Sequence, residues 1–503
     1  MKTHTITRLV FAGCSSLALG LFVSACGSGA IDSKGEAPSS ADAGNPLELK
    51  VMSSLYFEVP QMNNAVWTEI QKRTNTKLTV DWVPAPDYNS KLDLVLASGD
   101  LPDILTVTSE KYLPVVNAAK QGVFWDLEPL LGDYSDYPNL KKIIPERAKY
   151  LRIDGKLYTL PRTRGKLDSI VQIRKDWLEK AGLKVPQTLE EFNIALKKIV
   201  DSDPAGNGKK TTIGLDYNDY YAGMFGVWDP IYNNEGGMVY PFLTPNYVDF
   251  VSWYRDRYAD GVMAKEFSVM KASQVQDLFN SGVLAAYVWN IYHAWDATEA
   301  IKKTQPGAIV DAALIKGPKG YALAHTKLTT GGIMIPKKVP EAKVKQILKM
   351  YDTMASSEMT DIVSHGMEGV HYKIENNERK LTDVGKKEIT VDVNQFMVLA
   401  EDPWLKVVSP QASKAWNDAK IEQMKQFKAE EVGKVPLQEL LLSDTWLKVW
   451  PKYSDEFITM RTKAIIGDIS ISDFKAYIDK LNNMADFKKA YQEFNENYKI
   501  MMK

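Results

Sequence analysis

The sequence predicts an α/β fold of two lobes, each a sheet flanked by helices. Three observations carry this. Strand and helix periods alternate from residue 47 to residue 107. A turn and an extended run then lead out of that unit at 154–173, and a capped amphipathic helix opens a second one. The chain has 503 residues, 45% apolar and 25% charged, an ordinary globular composition with length for two or three cores. Its net charge of −1 gives no footprint for nucleic acid.

The first residues have a different character. Lys2 and Arg8 precede an uncharged run, 9–23, that is shorter than the ~20 residues a membrane-spanning helix needs. The run ends in Val23-Ser24-Ala25-Cys26, which reads as a secretory leader, 1–25, of the lipoprotein type. Cys26 would then carry the lipid, a palmitate-type acyl modification, as the new N-terminus. Cleavage removes two basic residues and brings the charge to −3. It also removes Cys14, so the mature body has no disulfide, cysteine nucleophile or thiolate metal site. Residues 26–46, mostly Gly, Ser, Ala, Asp and Pro after the cysteine, read as a flexible tether.

The body opens with a strand over 47–55. A helical stretch carries Val66, Trp67 and Ile70 on one side, and Leu78, Val80 and Trp82 alternate as a second strand. Leu92, Val95 and Leu96 recur at helical spacing before Gly99, a C-cap glycine, and 104–107 is the third strand. This order predicts a parallel sheet with right-handed crossovers, whose ligands sit beyond the carboxyl ends of the strands. The chain there reads Ser53-Ser54-Leu55-Tyr56 and Thr108-Ser109, polar with one aromatic. Thr188-Leu189-Glu190-Glu191 is a capping box, followed by the buried stripe Leu189, Phe192, Leu196 and Ile199. We expect 47–165 in lobe 1, 166–320 in lobe 2, 321–390 returning to lobe 1, and a helical part, 391–503, packing mainly with lobe 2.

Catalytic motifs are sparse. Four histidines remain after cleavage, none in HExxH, and there is no G-x-S-x-G elbow or strand-linked G-x-G-x-x-G. The 63 acidic residues always offer carboxylate pairs, so a glycosidase stays compatible with residue types, as does peptide binding. The positive signal is aromatic. Residues 213–300 include Tyr217, Tyr220, Trp228, Tyr240, Trp289 and Tyr292. Sugar rings stack C–H faces on Trp and Tyr, while their hydroxyls need Asp, Asn, Arg and Lys. Candidate contacts are Tyr56 and Arg162 from the first lobe, and Trp228, Trp289, Asn290 and Tyr292 from the second; Arg164, with Arg162, could also face the cleft and donate to hydroxyls. Any one large aromatic is more often packing than a ligand platform, so the expectation rests on the group.

One loop has EF-hand-like spacing. With Asp203 as position 1, Asn207 is 5, Gly208 is 6 and Lys209 is 7, which suits oxygens, a sharp turn and a backbone carbonyl around Ca²⁺. Ala205 and Thr211 stand at 3 and 9, and no acid stands at 10 or 12. Much of the charge that would hold the ion is missing. We expect no other cofactor.

Several stretches carry a family likeness. Ala97-Ser98-Gly99-Asp100-Leu101-Pro102-Asp103-Ile104 resembles the ASGD-x-PDI signature of family 1 extracellular solute-binding proteins. Asp126-Leu127-Glu128-Pro129-Leu130-Leu131, Asp154-Gly155-Lys156-Leu157-Tyr158-Thr159-Leu160-Pro161 and Arg174-Lys175-Asp176-Trp177-Leu178 resemble its next landmarks. Thr329-Thr330-Gly331-Gly332-Ile333-Met334-Ile335 and Gly366-Met367-Glu368-Gly369-Val370-His371-Tyr372 follow in the same order. The chain is most similar to a long Gram-positive lipoprotein subgroup related to alginate-oligosaccharide-binding proteins. The resemblance implies a two-lobe periplasmic-binding-protein-like fold of type II with a carbohydrate in the cleft. It also implies an ABC permease as partner, a monomer held by its lipid on the extracellular face of the membrane, and no chemistry on the ligand. In that subgroup the loop matching 203–212 often binds Ca²⁺. Only Asp203, Asn207 and Lys209 carry over.

Overall fold

The computed structural model describes residues 45–56, 58–206, 210–375, 378–389 and 391–502. The expected leader, Cys26 and nearly all of the tether lie outside the described residues, as do Asn207 and Lys209. Among the described residues no helix is long and apolar enough to cross a membrane.

Ten strands make two sheets. They are β1 (Leu47–Leu55), β2 (Thr76–Pro84), β3 (Ile104–Val107), β4 (Leu160–Thr163), β5 (Leu167–Arg174), β6 (Ile213–Leu215), β7 (Leu284–Asn290), β8 (Val310–Ala313), β9 (Leu323–His325) and β10 (Thr329–Met334). The first sheet runs β2-β1-β3-β10-β4. β1 lies parallel to β2 in unbroken register from Leu47↔Thr76 to Leu55↔Pro84, and parallel to β3. The helices between them follow from local chemistry. Asn64 caps the helix Ala65–Thr74 by accepting from the Trp67 N–H, and Val66, Trp67 and Ile70 enter the core. Gly99, at φ 73°, ends the helix Tyr88–Ser98. β10 enters the sheet from the far end of the chain, antiparallel to β3 and β4.

The second sheet runs β6-β7-β5-β8, with β9 also on β5. Here β5 is antiparallel to β7, β8 and β9, and only β6 and β7 are parallel. The capping box forms in both directions, between the Thr188 hydroxyl and the Glu191 amide and between the Glu191 carboxylate and the Thr188 amide. Phe192, Leu196 and Ile199 join a large core with Trp177, Tyr221, Trp253 and Tyr254. Trp446, Phe457, Phe474 and Phe487, from the C-terminal helices, lie in the same core.

The chain crosses between the sheets three times. Residues 164–166 and 326–328 run side by side, with the Arg164 amide donating to the Leu328 carbonyl and the Thr326 amide to the Lys166 carbonyl. The third crossing is 400–403. Residues 393–399 lie in the first-sheet core, whereas Trp404 and Val407 pack by the second sheet. Two expected boundaries therefore shift. The return to the first lobe falls at 326–328 rather than at 321, because β9 hydrogen-bonds to β5. The stretch 391–399 stays with lobe 1, because Phe396 stacks on Trp67 at 5.6 Å. Gly165 lets the crossings close up, since a Cβ there would sit 2.7 Å from the Asp402 carbonyl oxygen.

Candidate functional site

Two adjoining hollows open beside the crossings, about 580 and 450 Å³, and share Arg164, Thr330 and Lys406 on their common wall. Both have the size of small-molecule sites. Thr108 and Ser109, just beyond β3, line the larger one, as the strand-end rule predicts.

The smaller hollow is lined by Tyr56, Arg162, Arg164, Tyr292, Gln395 and Lys406, among others. Tyr56 follows β1 and is 53% exposed. Arg162 is 3% exposed, donates from Nη2 to Gln395 Oε1 at 2.8 Å, and has no hydrogen-bond partner for Nε. Burial first, and then neighbouring Arg164, push its guanidinium down to about 9. Arg164 donates to the Thr163 carbonyl at 2.9 Å, and burial lowers it too. Lys406 donates to Asn290 Oδ1 at 3.2 Å, and burial with Arg164 brings its amine down to about 8. All three cations bond to neutral acceptors.

The larger hollow mixes charges. Lys327 pairs with Glu110, and Lys111 donates to the Glu439 carbonyl. Burial, with Lys327 pressing the same way, brings Lys111 down to about 7, while burial raises Glu439. Asp168 accepts from Asn290 Nδ2 at 3.0 Å and from the Tyr220 hydroxyl at 3.4 Å. Tyr220, Tyr240, Trp446 and Phe494 supply an aromatic wall, with Trp446 stacked on Trp450 at 4.7 Å and 12°.

The structure thus brings Tyr56, Arg162 and Tyr292 to one hollow. Asn290 stands behind the wall, where its amide holds Asp168 and Lys406 in place. Two expected contacts are corrected. Trp289 shares a face of β7 with Tyr287, and its ring packs on Tyr287 at 4.9 Å and His293 at 4.7 Å. Strand alternation turns it toward the Phe279 cluster instead of the cleft. Trp228 is 4% exposed in the second-lobe core, edge-on to Tyr220 at 6.3 Å; it backs the wall that Tyr220 lines.

Sequence reading passed over Asp168, Lys406, Glu439 and Trp446. Lys406 lies in an aperiodic stretch with no signal. Arg164, expected with Arg162 to face the cleft, lies on the common wall, as residues at i and i+2 share one face of an extended chain.

In the loop after the helix Leu189–Ser202, Asp203 stands at the first position of the expected calcium spacing. Asp203 Oδ1 accepts from the Thr211 amide at 3.0 Å, the Thr212 amide at 2.9 Å and the Thr212 hydroxyl at 2.7 Å. The same hydroxyl accepts from the Ala205 amide at 3.1 Å. The carboxylate oxygen that would face an ion is already surrounded by donors of its own loop. Among the described residues no group of three or more His, Cys, Asp or Glu could hold a metal. Of the three expected ligand positions, Asp203 alone is among the described residues, and its Oδ1 is engaged by its own loop.

The comparisons agree with this architecture. The family model described as bacterial extracellular solute-binding protein matches residues 58–360. The polygalacturonan/rhamnogalacturonan-binding protein YtcQ of Bacillus subtilis (strain 168) is 30% identical over 503 residues, covering 96% of this chain and 97% of that one. Among solved structures, the alginate-binding protein AlgQ2 without calcium ion superposes with TM-score 0.67 at 20% identity, over 90% of this chain and 98% of that one. The Streptococcus pneumoniae substrate-binding protein FusA in complex with kestose gives 0.64 at 20% identity, over 90% and 99%. The two-lobe α/β fold expected from the sequence is the fold these structures share. With the family match over most of the body and a full-length relative at 30% identity, the chain belongs to the bacterial extracellular solute-binding proteins.

Proposed function

We propose that the protein is anchored through Cys26 on the outer face of the membrane, captures an oligosaccharide in the cleft, and passes it unaltered to an ABC permease. The observation that carries this is the composition of the cleft. An aromatic wall, Tyr220, Tyr240 and Trp446, shares the larger hollow with hydroxyl-bearing residues of the other lobe, Thr108, Ser109 and Thr330. Stacking planes together with hydrogen-bond groups suit a sugar ring. A ligand touching both lobes stabilises the closed arrangement, which an open form contacting one lobe cannot match. The names of YtcQ and FusA, one a polygalacturonan/rhamnogalacturonan-binding protein and the other crystallised with kestose, support a sugar chain as the ligand class.

Asp168 and Glu439 line the same hollow, so a glycosidase reading needs its own control. The test is a thermal-shift screen of the chain from residue 27 against mono- and oligosaccharides, then calorimetry and chromatography of any hit. A bound sugar recovered intact supports the proposal. Shortened products lost on Asp168→Asn would replace it with hydrolysis, and binding of peptides alone would replace it with peptide capture. Labelling by a palmitate analogue in the native host, lost on Cys26→Ser, checks the anchor.

A further inference from the structure

The two hollows differ in charge. The smaller is lined by Arg162, Arg164 and Lys406 and, among the described residues, by no Asp or Glu. Their described hydrogen bonds end on the Gln395 side chain, the Thr163 carbonyl and the Asn290 side chain, all neutral. Asp168 is the carboxylate that acts on Arg164 and Lys406, and it lies on the wall of the other hollow. In the larger hollow the lysines have carboxylates at hand: Lys327 pairs with Glu110, and the Glu110 and Glu439 carboxylates both act on Lys111. Burying a cation without an anion is costly, and a stable fold gains nothing from it. Such a cluster is explained by an anion that arrives with the ligand. Guanidinium forks match the two oxygens of a carboxylate, and Arg162 keeps a buried Nε without a partner.

We propose that the cleft selects a uronic-acid-bearing oligosaccharide, with one sugar carboxylate held by Arg162, Arg164 and Lys406 and neighbouring uncharged units lying against Tyr220, Tyr240 and Trp446. This rests on the sugar-binding reading above and adds a division of the site: one acidic subsite next to a neutral one. Tyr56 and Tyr292 flank the cations and supply the faces for the ring that carries the acid.

The test is calorimetry with aldotriouronic acid, in which a glucuronic acid caps a xylose pair, against uncharged xylotriose and against tri-glutamate. The acidic sugar is expected to bind at least about tenfold tighter than xylotriose. Arg164→Gln and Lys406→Met are expected to cut that preference several-fold, with thermal unfolding confirming that each variant folds. Arg162, being fully enclosed, is tested second, as Arg162→Lys. Equal or tighter binding of xylotriose would overturn the acidic subsite and leave sugar capture standing. Equal binding of tri-glutamate would overturn the assignment of the carboxylate to a sugar. A preference that survives both variants would remove these residues from the subsite. If no sugar in the wider oligosaccharide screen bound, the parent reading would fail.

Discussion

Arg147 is expected to hold the crossing region together, and Arg147→Met measures how much. The side chain is fully buried on the helix Ile144–Leu151 of the first lobe. Its Nε donates to the Leu328 carbonyl at 3.0 Å and its Nη1 to the Ile143 carbonyl at 3.0 Å, while Nη2 lies 3.2 Å from the Glu401 carboxylate. One guanidinium thus touches the crossings at 326–328 and 400–403 at once. Leu328 sits at φ 64°, a left-handed conformation that costs a non-glycine residue about 1 kcal/mol or more; the bond to its carbonyl offsets that strain. Methionine keeps the apolar stem and removes every donor. Two hydrogen bonds from a charged group are worth about 1.5–3 kcal/mol each, so the loss is about 3 kcal/mol at the low end. Glu401 is partly exposed and can be solvated, so it adds little. For a cooperative unit of 150–250 residues, about 2–4 °C per kcal/mol converts this to a fall of about 6–12 °C in Tm, read by calorimetry. A fall under 2 °C with ligand affinity unchanged would refute the reasoning, because it would mean the crossings are held by their mutual hydrogen bonds alone.

Other outcomes follow from the same geometry. Trp289→Ala is expected to leave sugar affinity within about twofold while lowering Tm, whereas Tyr292→Ala weakens binding roughly tenfold; paired titrations decide. Lys406 has its amine lowered to about 8, so an acidic ligand is expected to bind up to about tenfold more weakly at pH 9 than at pH 7, and Lys406→Arg flattens the profile. The stability sign is the reverse: lysines depressed in the folded state, Lys406 and Lys111, oppose folding while protonated, so stability rises as pH climbs through about 7–8 toward the free-lysine value. Millimolar CaCl₂ or a chelator is expected to shift Tm by less than about 1 °C, while Thr212→Val, which removes the hydroxyl between Asp203 and Ala205, lowers it by a few degrees.

What the sequence made legible was local. The Gly99 cap and the Thr188 capping box depend on residues within one turn, and a period of 2 or 3.6 shows in a few positions. What it hid was set by pairing over long separations. β10 joins β3 across more than two hundred positions, and that insertion, unlike the β1–β2–β3 run, leaves no mark in spacing. The same limit governed the cleft. Tyr56, Arg162 and Tyr292 stand at element ends, where a strand-end rule points. Lys406 reaches the site from an irregular segment because the Tyr292 amide donates to its carbonyl at 3.2 Å. Trp289 was misplaced by one residue of strand alternation, which exchanges the two faces of a sheet.

The contacts between lobes outside the crossings bear on how a ligand can act. The helix Asp444–Val449 belongs to the second lobe through Trp446 and Val449, which lie in its core. From the same helix Leu447 packs against the first-lobe cluster of Leu105 and Val115, and Asp444 meets Lys120 at 2.7 Å. That ion pair is half exposed at Asp444, the kind worth about 0–1 kcal/mol. One partly buried leucine adds about 1–2 kcal/mol. The Lys111 bond to the Glu439 carbonyl also spans the lobes, a charged donor worth about 1.5–3 kcal/mol. Together these contacts favour the closed arrangement by a few kcal/mol, the range that a ligand's differential affinity also supplies. An anion bound by Arg162 from β4 and Lys406 from just past the third crossing would add its own bridge. Permanent contacts of the same order as a ligand's contribution therefore leave the sugar able to tip the balance, as capture and release by one clamp require.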